Sequence, residues 1–295
     1  MGKSKTSPLT KTVGNIVGVG GMFMGINEAK TVQDLQGISD KDMAEIIRRL
    51  DDVKLPSDLD VADKVNRFHP DIIYDTDNYA QKFYYAVGLN AKPEVLDDKE
   101  FSQYMKDNAL SKGQILTRNV RDGAKSASEI NDITKYGDYT YVGGRYGGNA
   151  EGMGIYFAKT GGDSTWVDPF FGTSTKYDPK KSKTMLAVLD KSKVKAISAD
   201  SKLYEAWRKY AKTHPETNKA LNDVLGVGTY TKSINGKTHF GDNVASSATI
   251  KAVLMGYNVL TNGSHSYSEK EASPSAYFNV LDRSILKIRK DDKRK

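Results

Sequence analysis

The chain contains no cysteine among its 295 residues. Disulfide bonds, thiolate metal sites and cysteine nucleophiles are therefore excluded. Histidine is also scarce, and the four present (His69, His214, His239 and His265) show none of the paired spacings that are typical of metal ligands. We therefore predict a protein that holds no metal ion.

Long apolar runs are missing as well. No stretch reaches the roughly 18 consecutive apolar residues that a membrane-spanning helix needs. Residues 13–26 are apolar and follow lysines, but five glycines interrupt them and no small-residue cleavage site follows. We expect no membrane partner, and we interpret residues 1–38 as a flexible arm rather than a signal peptide.

The composition is that of a globular protein with a surplus of positive charge. Hydrophobic residues make up 38% and charged residues 27% of the chain, which is enough apolar material for a substantial core. The net charge of +7 is concentrated at the termini, at Lys3, Lys5 and Lys11 and in 287–295. Such termini favour polyanions, nucleic acid included. The alternative is a solvated tail that aids solubility.

Helical patterns dominate the first third of the chain. A helix is predicted from Ser39, with Asp42 three residues on and an apolar stripe at Met43, Ile46, Ile47 and Leu50. Two more are predicted over about 76–87, ending at Gly88, and from about 97 to 105. We interpret residues 39–110 as a helical subdomain.

From Gln114 onward the pattern changes to short strands. They are predicted at 114–118, 153–158, 184–190, 193–197, 257–261, 276–282 and 284–288. Helices are expected after Ser126, over about 200–212, and over 242–255 with Gly256 as the stop. Few helices between many short strands indicate an α+β domain over 111–290, with a basic tail at 291–295, rather than a doubly wound sheet.

Two blocks carry residues suited to a bound anion or ring. Arg118 ends an apolar strand, where a guanidinium needs an anionic partner and can hold a pyrophosphate through two hydrogen bonds. A surface ion pair is the alternative. The second block, 141–158, is rich in glycine and leads into Tyr156, on which a planar ring can stack. A plain hairpin is the alternative, and the spacing fits neither a Walker loop nor a GxGxxG motif.

A third block lies near the end of the chain. It comprises Gly-Tyr-Asn-Val-Leu at 256–260, a polar loop with Glu269 and Glu271, and Tyr-Phe-Asn-Val-Leu-Asp-Arg-Ser at 277–284. In this order the three blocks resemble the ADP-ribosyltransferase fold, most closely the phage-encoded versions associated with head-morphogenesis proteins. Residues 88–97 resemble the lead-in of those proteins. The resemblance covers about 80–290.

The resemblance implies a split β-sandwich that binds NAD as a co-substrate. Arg118 would contact NAD, Tyr156 would pack on nicotinamide, and Trp166 would be a second stacking aromatic unless it is a core residue. The residues assigned to NAD on this basis are Thr117, Arg118, Gly143, Gly144, Tyr156 and Trp166.

The catalytic glutamate departs from the family pattern. Counting back from Asp282 leads to Ala276 and Tyr277, and the nearest carboxylates, Glu269 and Glu271, lie several residues early. Either the loop delivers Glu271, with Glu269 steering the choice of acceptor, or this chain has lost the residue. The segment 173–175 resembles the serine motif of the toxin branch but follows the Tyr156 block.

The implied activity is a phage mono-ADP-ribosyltransferase acting on a host protein, in the virion or the bacterial host cytoplasm. The basic termini would contact the phage head or DNA. The alternative is a virion structural or internal protein that keeps the fold without the activity. A secreted bacterial toxin is a third reading, disfavoured by the lack of a signal peptide.

Overall fold

The structure is a computed structural model that describes residues 31–53, 72–75, 79–89, 93–120, 154–159, 183–225, 231–234, 237–241, 243–261 and 277–290. These residues form a mixed α+β fold with two sheets of mixed strand direction. The prediction of an α+β class is confirmed, since helices and strands do not alternate into a doubly wound parallel sheet.

The larger sheet has eight strands in the order β2-β11-β5-β3-β4-β10-β9-β6. Its strands are β2 (Glu94–Leu96), β3 (Leu116–Val120), β4 (Ile155–Lys159), β5 (Lys183–Leu189), β6 (Ala196–Ser198), β9 (Val259–Thr261), β10 (Tyr277–Val280) and β11 (Leu286–Arg289). The pairs from β11 through β5, β3, β4 and β10 to β9 are antiparallel, while the two edge strands β2 and β6 pair in parallel. The centre of the sheet therefore consists of β3, β4 and β10 with their neighbours.

The smaller sheet has three strands in the order β1-β8-β7. These are β1 (Ile72–Asp75), β7 (Thr231–Ile234) and β8 (Lys237–Gly241). β7 and β8 form an antiparallel pair, and β1 joins β8 in parallel. None of the three strands was predicted from the sequence.

Six helices are described: α1 (Asp40–Arg48), α2 (Tyr79–Val87), α3 (Asp98–Asp107), α4 (Ser201–Thr213), α5 (Pro215–Leu225) and α6 (Asn243–Leu254). The predicted ends of these helices are confirmed where local capping sets them. The Ser39 side chain accepts a hydrogen bond from the Asp42 backbone N–H, and Asp97 caps α3 in the same way. Gly88 and Gly256 follow α2 and α6 with φ of 74° and 84°, the left-handed conformation that suits glycine.

Helices cover both faces of the larger sheet. The main core contains Leu116, Phe157 and Phe278 on one face, together with buried residues of every described helix except α3. On the other face α3 buries Phe101 in a smaller cluster with Val188 of β5. Val188 alternates with Ala187, which belongs to the main core, as the pleat of a strand requires.

Helix α5 is an element that the sequence pattern did not predict. It begins at Pro215 and follows α4 after His214 alone. The backbone N–H groups of Glu216 and Thr217 donate to the side chain of Asp40 at 3.0 Å and 2.9 Å. The cap of α5 therefore comes from α1, which is distant in the chain, so no local capping signal marks the start of α5. The helix expected after Ser126 lies outside the described residues.

Candidate functional site

The predicted NAD-binding residues on strands lie at the centre of the larger sheet. Thr117 and Arg118 belong to β3 and Tyr156 belongs to the adjacent strand β4. The prediction that Arg118 ends its strand is wrong, because the pairing of β3 with β5 continues to Val120 and leaves Arg118 at the middle of β3. Thr117 is the register partner of Ala158, and Tyr156 is the register partner of Asn279 on β10. The three sequence blocks therefore place β3, β4 and β10 side by side in the sheet.

The register also divides these positions between the two faces of the sheet. Because Thr117 pairs with Ala158, and Tyr156 precedes Ala158 by two residues, the Thr117 and Tyr156 positions share one face. The Arg118 position alternates with Thr117 and falls on the opposite face. Arg118 and Tyr156 are thus on adjacent strands but not on the same face.

The remaining predicted site residues cannot be positioned. Gly143, Gly144 and Trp166 lie outside the described residues, as do both candidate carboxylates, Glu269 and Glu271, and the 173–175 segment. Their assignment to NAD binding or catalysis stays a prediction.

Gly154, in the glycine-rich block, has a packing role. A Cβ atom at this position would lie 2.0 Å from Asn279 Oδ1 and 2.6 Å from the Val280 carbonyl oxygen. No side chain fits at such distances, so β10 can approach the start of β4 only because residue 154 is glycine. In this glycine-rich block, Gly154 therefore serves the contact between two parts of the sheet.

Asn258, in the Gly-Tyr-Asn block, is fully buried and joins two loops. Its side-chain oxygen accepts from the Lys195 N–H at 2.7 Å, and its side-chain nitrogen donates to the Lys193 carbonyl at 2.8 Å. Its own carbonyl accepts from the Leu281 N–H at 2.9 Å. Asn258 therefore holds the 193–195 segment and the end of β10 against β9.

The segment before β6 is also ordered by Asp190. Its carboxylate accepts from the Ser192 hydroxyl at 2.6 Å and lies 3.2 Å from the Lys193 Nζ. Burial would raise the pKa of Asp190, but these hydrogen bonds and the charge of Lys193 outweigh burial and lower it. These bonds stabilise the turn at 190–193, whose Lys193 carbonyl accepts a hydrogen bond from the Asn258 side chain.

Asp282, in the final block, is a structural anchor. Its carboxylate accepts from the backbone N–H and the hydroxyl of Ser284, at 2.9 Å and 2.6 Å, and so caps the short 3-10 helix Arg283–Ile285. The other carboxylate oxygen accepts from the Val32 N–H at 3.0 Å. Asp282 is 3% exposed, so these bonds are made away from solvent and connect the first described residues to the last strands.

Sequence reasoning did not single out Asn279, the one polar residue of β10. It is fully buried at the centre of the sheet, opposite Tyr156 and against Gly154. The signal was a single amide within Tyr-Phe-Asn-Val, because burying an amide in an apolar strand is costly unless the amide is hydrogen-bonded. Asn279 is therefore a further candidate for the functional site at the centre of the sheet.

Two negative findings concern the described residues only. Within them, no three His, Asp or Glu side chains come together as metal ligands would. None of the helices that the structure describes is long and apolar enough to cross a bilayer.

No family model, no curated protein and no solved structure matches this chain.

Proposed function

We propose that the chain is a mono-ADP-ribosyltransferase that transfers ADP-ribose from NAD to a side chain of a host protein. Its sheets would form the split β-sandwich of that fold. One observation supports the proposal most: the blocks that resemble the family, although far apart in the chain, have their strands β3, β4 and β10 side by side. The proposal includes a phage origin, action in the virion or the bacterial host cytoplasm, and basic termini that contact the phage head or DNA.

The proposed chemistry breaks the bond between nicotinamide and the ribose C1′ of NAD. Nicotinamide leaves with the bonding electron pair, and the acceptor side chain forms the new bond to C1′ and loses a proton. The transition state resembles an oxocarbenium ion, which a nearby carboxylate stabilises. In this proposal Glu271 supplies that carboxylate, Arg118 holds the pyrophosphate, Tyr156 packs on nicotinamide, and Thr117 is a further NAD contact. Gly143, Gly144 and Trp166 complete the NAD site, and Glu269 directs acceptor choice.

A second candidate is a virion structural or internal protein of the same fold that has lost the activity. Two observations favour it. The glutamate is displaced from its family position, and Asn258 and Asp282, which carry part of the resemblance, are engaged in structural hydrogen bonds. A fold can be retained for its packing after the chemistry is gone.

Transfer of label from NAD tagged on its adenylate half separates the two candidates. The full chain is incubated with a bacterial lysate, and labelled proteins are counted for wild type, E271Q and E269Q. We expect E271Q to lose about 2.7–4 kcal/mol of transition-state stabilisation, roughly a hundredfold to a thousandfold in rate, because the amide lacks the negative charge. E269Q should spare NAD hydrolysis more than protein modification. Absence of hydrolysis and labelling by the wild type would favour the inactive virion protein.

NAD binding is measured in a separate experiment, which tests whether Arg118 contacts NAD. The test matters because the Arg118 and Tyr156 positions lie on different faces of the sheet. R118A should weaken NAD binding by about 1.5–3 kcal/mol in calorimetry, through loss of a charge-assisted contact. R48A is the matched control. Arg48 is a surface residue of α1, and its guanidinium pairs with the Glu216 carboxylate at 3.0 Å. Equal affinity of wild type and R118A would assign Arg118 a structural role.

A further inference from the structure

Residues 190–214, which comprise α4 and the loop before it, form a locally basic stretch of the chain. Residues 190–214 contain seven Lys and Arg against three Asp and Glu, a surplus of four within a total of +7. Besides the basic termini, this stretch is therefore a second cationic part of the chain. We call the exposed residues of 191–213 the α4 basic face.

Lys193 of this face pairs with Asp190, but other cations of the face form no ion pair within the described residues. Arg208, Lys209 and Lys212 are exposed on consecutive turns of α4 and pair with no carboxylate in the part of the chain that the structure describes. The same holds for Lys191 and Lys195 in the preceding loop. Positive groups left together without partners create a field that attracts anions.

Aromatic side chains lie among these cations. Tyr204 is 42% exposed, and among the described residues it is the only large apolar side chain classed as exposed. Lys251 of α6 lies beneath the helix, with its Nζ 5.5 Å from the Tyr204 ring centre and 5.6 Å from that of Trp207. The Tyr204 ring is therefore exposed to solvent and lies close to the ammonium group of Lys251.

Aromatic stacking and a hydrogen bond hold the buried side of α4 in place. The rings of Trp207 and Tyr210 stack at 5.2 Å, and those of Tyr210 and His214 stack at 3.9 Å and nearly parallel. The Trp207 indole N–H also donates to Asn218 of α5 at 3.1 Å. These contacts fix the spacing of the exposed charges between them.

A shallow groove of about 490 Å³ runs beside α4. Lys202 and Lys209 line it together with the rings of Tyr210 and Tyr257, and Glu205 contributes one opposing charge. Its size is within the range of roughly 300–1,000 Å³ for small-molecule sites. Proteins that bind single strands combine such cations with an aromatic ring on which a base stacks, and Tyr204 is the ring for that role because Tyr210 is already stacked against Trp207 and His214.

We propose that the α4 basic face binds single-stranded nucleic acid, with Arg208, Lys209 and Lys212 on the phosphates and Tyr204 under a base. An anionic membrane is the poorer partner, because the apolar side of α4, with Leu203 and Trp207, is buried against the core and does not face outward. This inference does not rest on the proposed transferase activity.

The test is binding of a fluorescent 12-residue oligothymidine to the full chain, followed by anisotropy from 50 to 300 mM salt. Each phosphate contact to a single strand contributes a slope of about 0.7 in log K against log salt. The variant R208Q/K209Q/K212Q should therefore lose roughly a hundredfold in affinity at about 0.1 M salt and about two units of slope. The matched control K99Q/K106Q/K112Q removes the same charge from exposed positions of α3 and the segment after it, and should bind like wild type.

Two single variants sharpen the test. E205Q removes the opposing charge and should tighten binding about fivefold, a gain that misfolding cannot produce. Y204A should weaken binding about tenfold at unchanged salt slope, while Y204F retains the ring and the affinity.

Four results would overturn the inference. They are no binding by the wild type, equal losses in the two triple variants, tighter binding of a 12-base-pair duplex with no dependence on Tyr204, and capture by phosphatidylserine vesicles without binding of the oligonucleotide.

Discussion

The centre of the larger sheet and the α4 basic face use polar residues in opposite ways. Around β9 and β10 the polar side chains of Asn258 and Asp282 are buried and hydrogen-bonded within the protein. On α4 the charges are exposed, and Arg208, Lys209 and Lys212 have no internal partner among the described residues. A motif residue can therefore be explained by packing alone, while a surface without any motif retains the free groups that binding requires.

The largest effect on stability is expected at Gly154, where a substitution directly tests whether a motif residue at the centre of the sheet serves packing. In G154A the new methyl group would overlap Asn279 and the Val280 carbonyl, and the backbone of β10 cannot yield without losing its pairing with β4. We expect a loss of about 3 kcal/mol or more in the free energy of unfolding, measured by urea denaturation.

G256A is the matched control for that experiment. Gly256 has a φ of 84°, and the nearest atom to an added Cβ is 3.5 Å away on Gln36. The alanine would meet backbone strain of about 1–2 kcal/mol without overlap. If G154A were as stable as wild type but altered ligand binding, the packing role assigned to this glycine would be wrong.

Asn258 should show the next largest effect. N258A leaves the Lys195 N–H and the Lys193 carbonyl without their side-chain partner and creates a small cavity at a fully buried site. We expect destabilisation of about 2–3 kcal/mol by thermal or urea unfolding. N222A, at an exposed position of α5, should be within about 0.5 kcal/mol of wild type. Unchanged stability in N258A would return this residue to the list of candidate ligand contacts.

The smallest effect is expected on the helical side, at the Asp40 cap of α5. D40A should cost about 1 kcal/mol, the usual value for a lost N-cap side chain. Burial would raise the pKa of Asp40, but hydrogen bonds from Thr217 and Glu216 and the charge of His214 lower it below 3.8. A carboxyl group with a depressed pKa stabilises the fold above its unfolded pKa, and this contribution is lost as the pH falls through the folded pKa.

The pH dependence supplies the check on this cap. The stability difference between wild type and D40N should be constant near neutral pH and should narrow as the pH falls below about 4. A difference that stays constant to pH 2 would show that the charge of Asp40 does not support α5.

Local sequence was sufficient for the fold class and for several boundaries. Ser39 and Asp97 start their helices, Gly88 and Gly256 end theirs, and the strand runs near 116, 155, 184 and 277 are strands in the structure. Each of these signals acts between residues a few positions apart, through a side-chain cap, a left-handed glycine or alternation along a strand.

Sequence alone could not assign roles within the candidate site. The glycine-rich block contains Gly154, and the blocks that carry the resemblance contain Asn258 and Asp282, but a glycine or a buried amide looks the same in sequence whether it faces a ligand or another strand. The Arg118 and Tyr156 blocks could be expected to be near each other only through the family resemblance. Their distribution over two faces follows from the register of β3 on β4, which no local pattern encodes.

The sequence by itself determined where α1, α2, α3 and α6 begin or end and where the central strands run, because capping and alternation are local. Only the tertiary structure decided the strand order, the packing role of Gly154, the anchoring by Asn258 and Asp282, and the existence of an α5 capped by Asp40. The physical reason is that each of these features joins residues distant in the chain. Their hydrogen bonds and close contacts exist only once the core has brought both partners together.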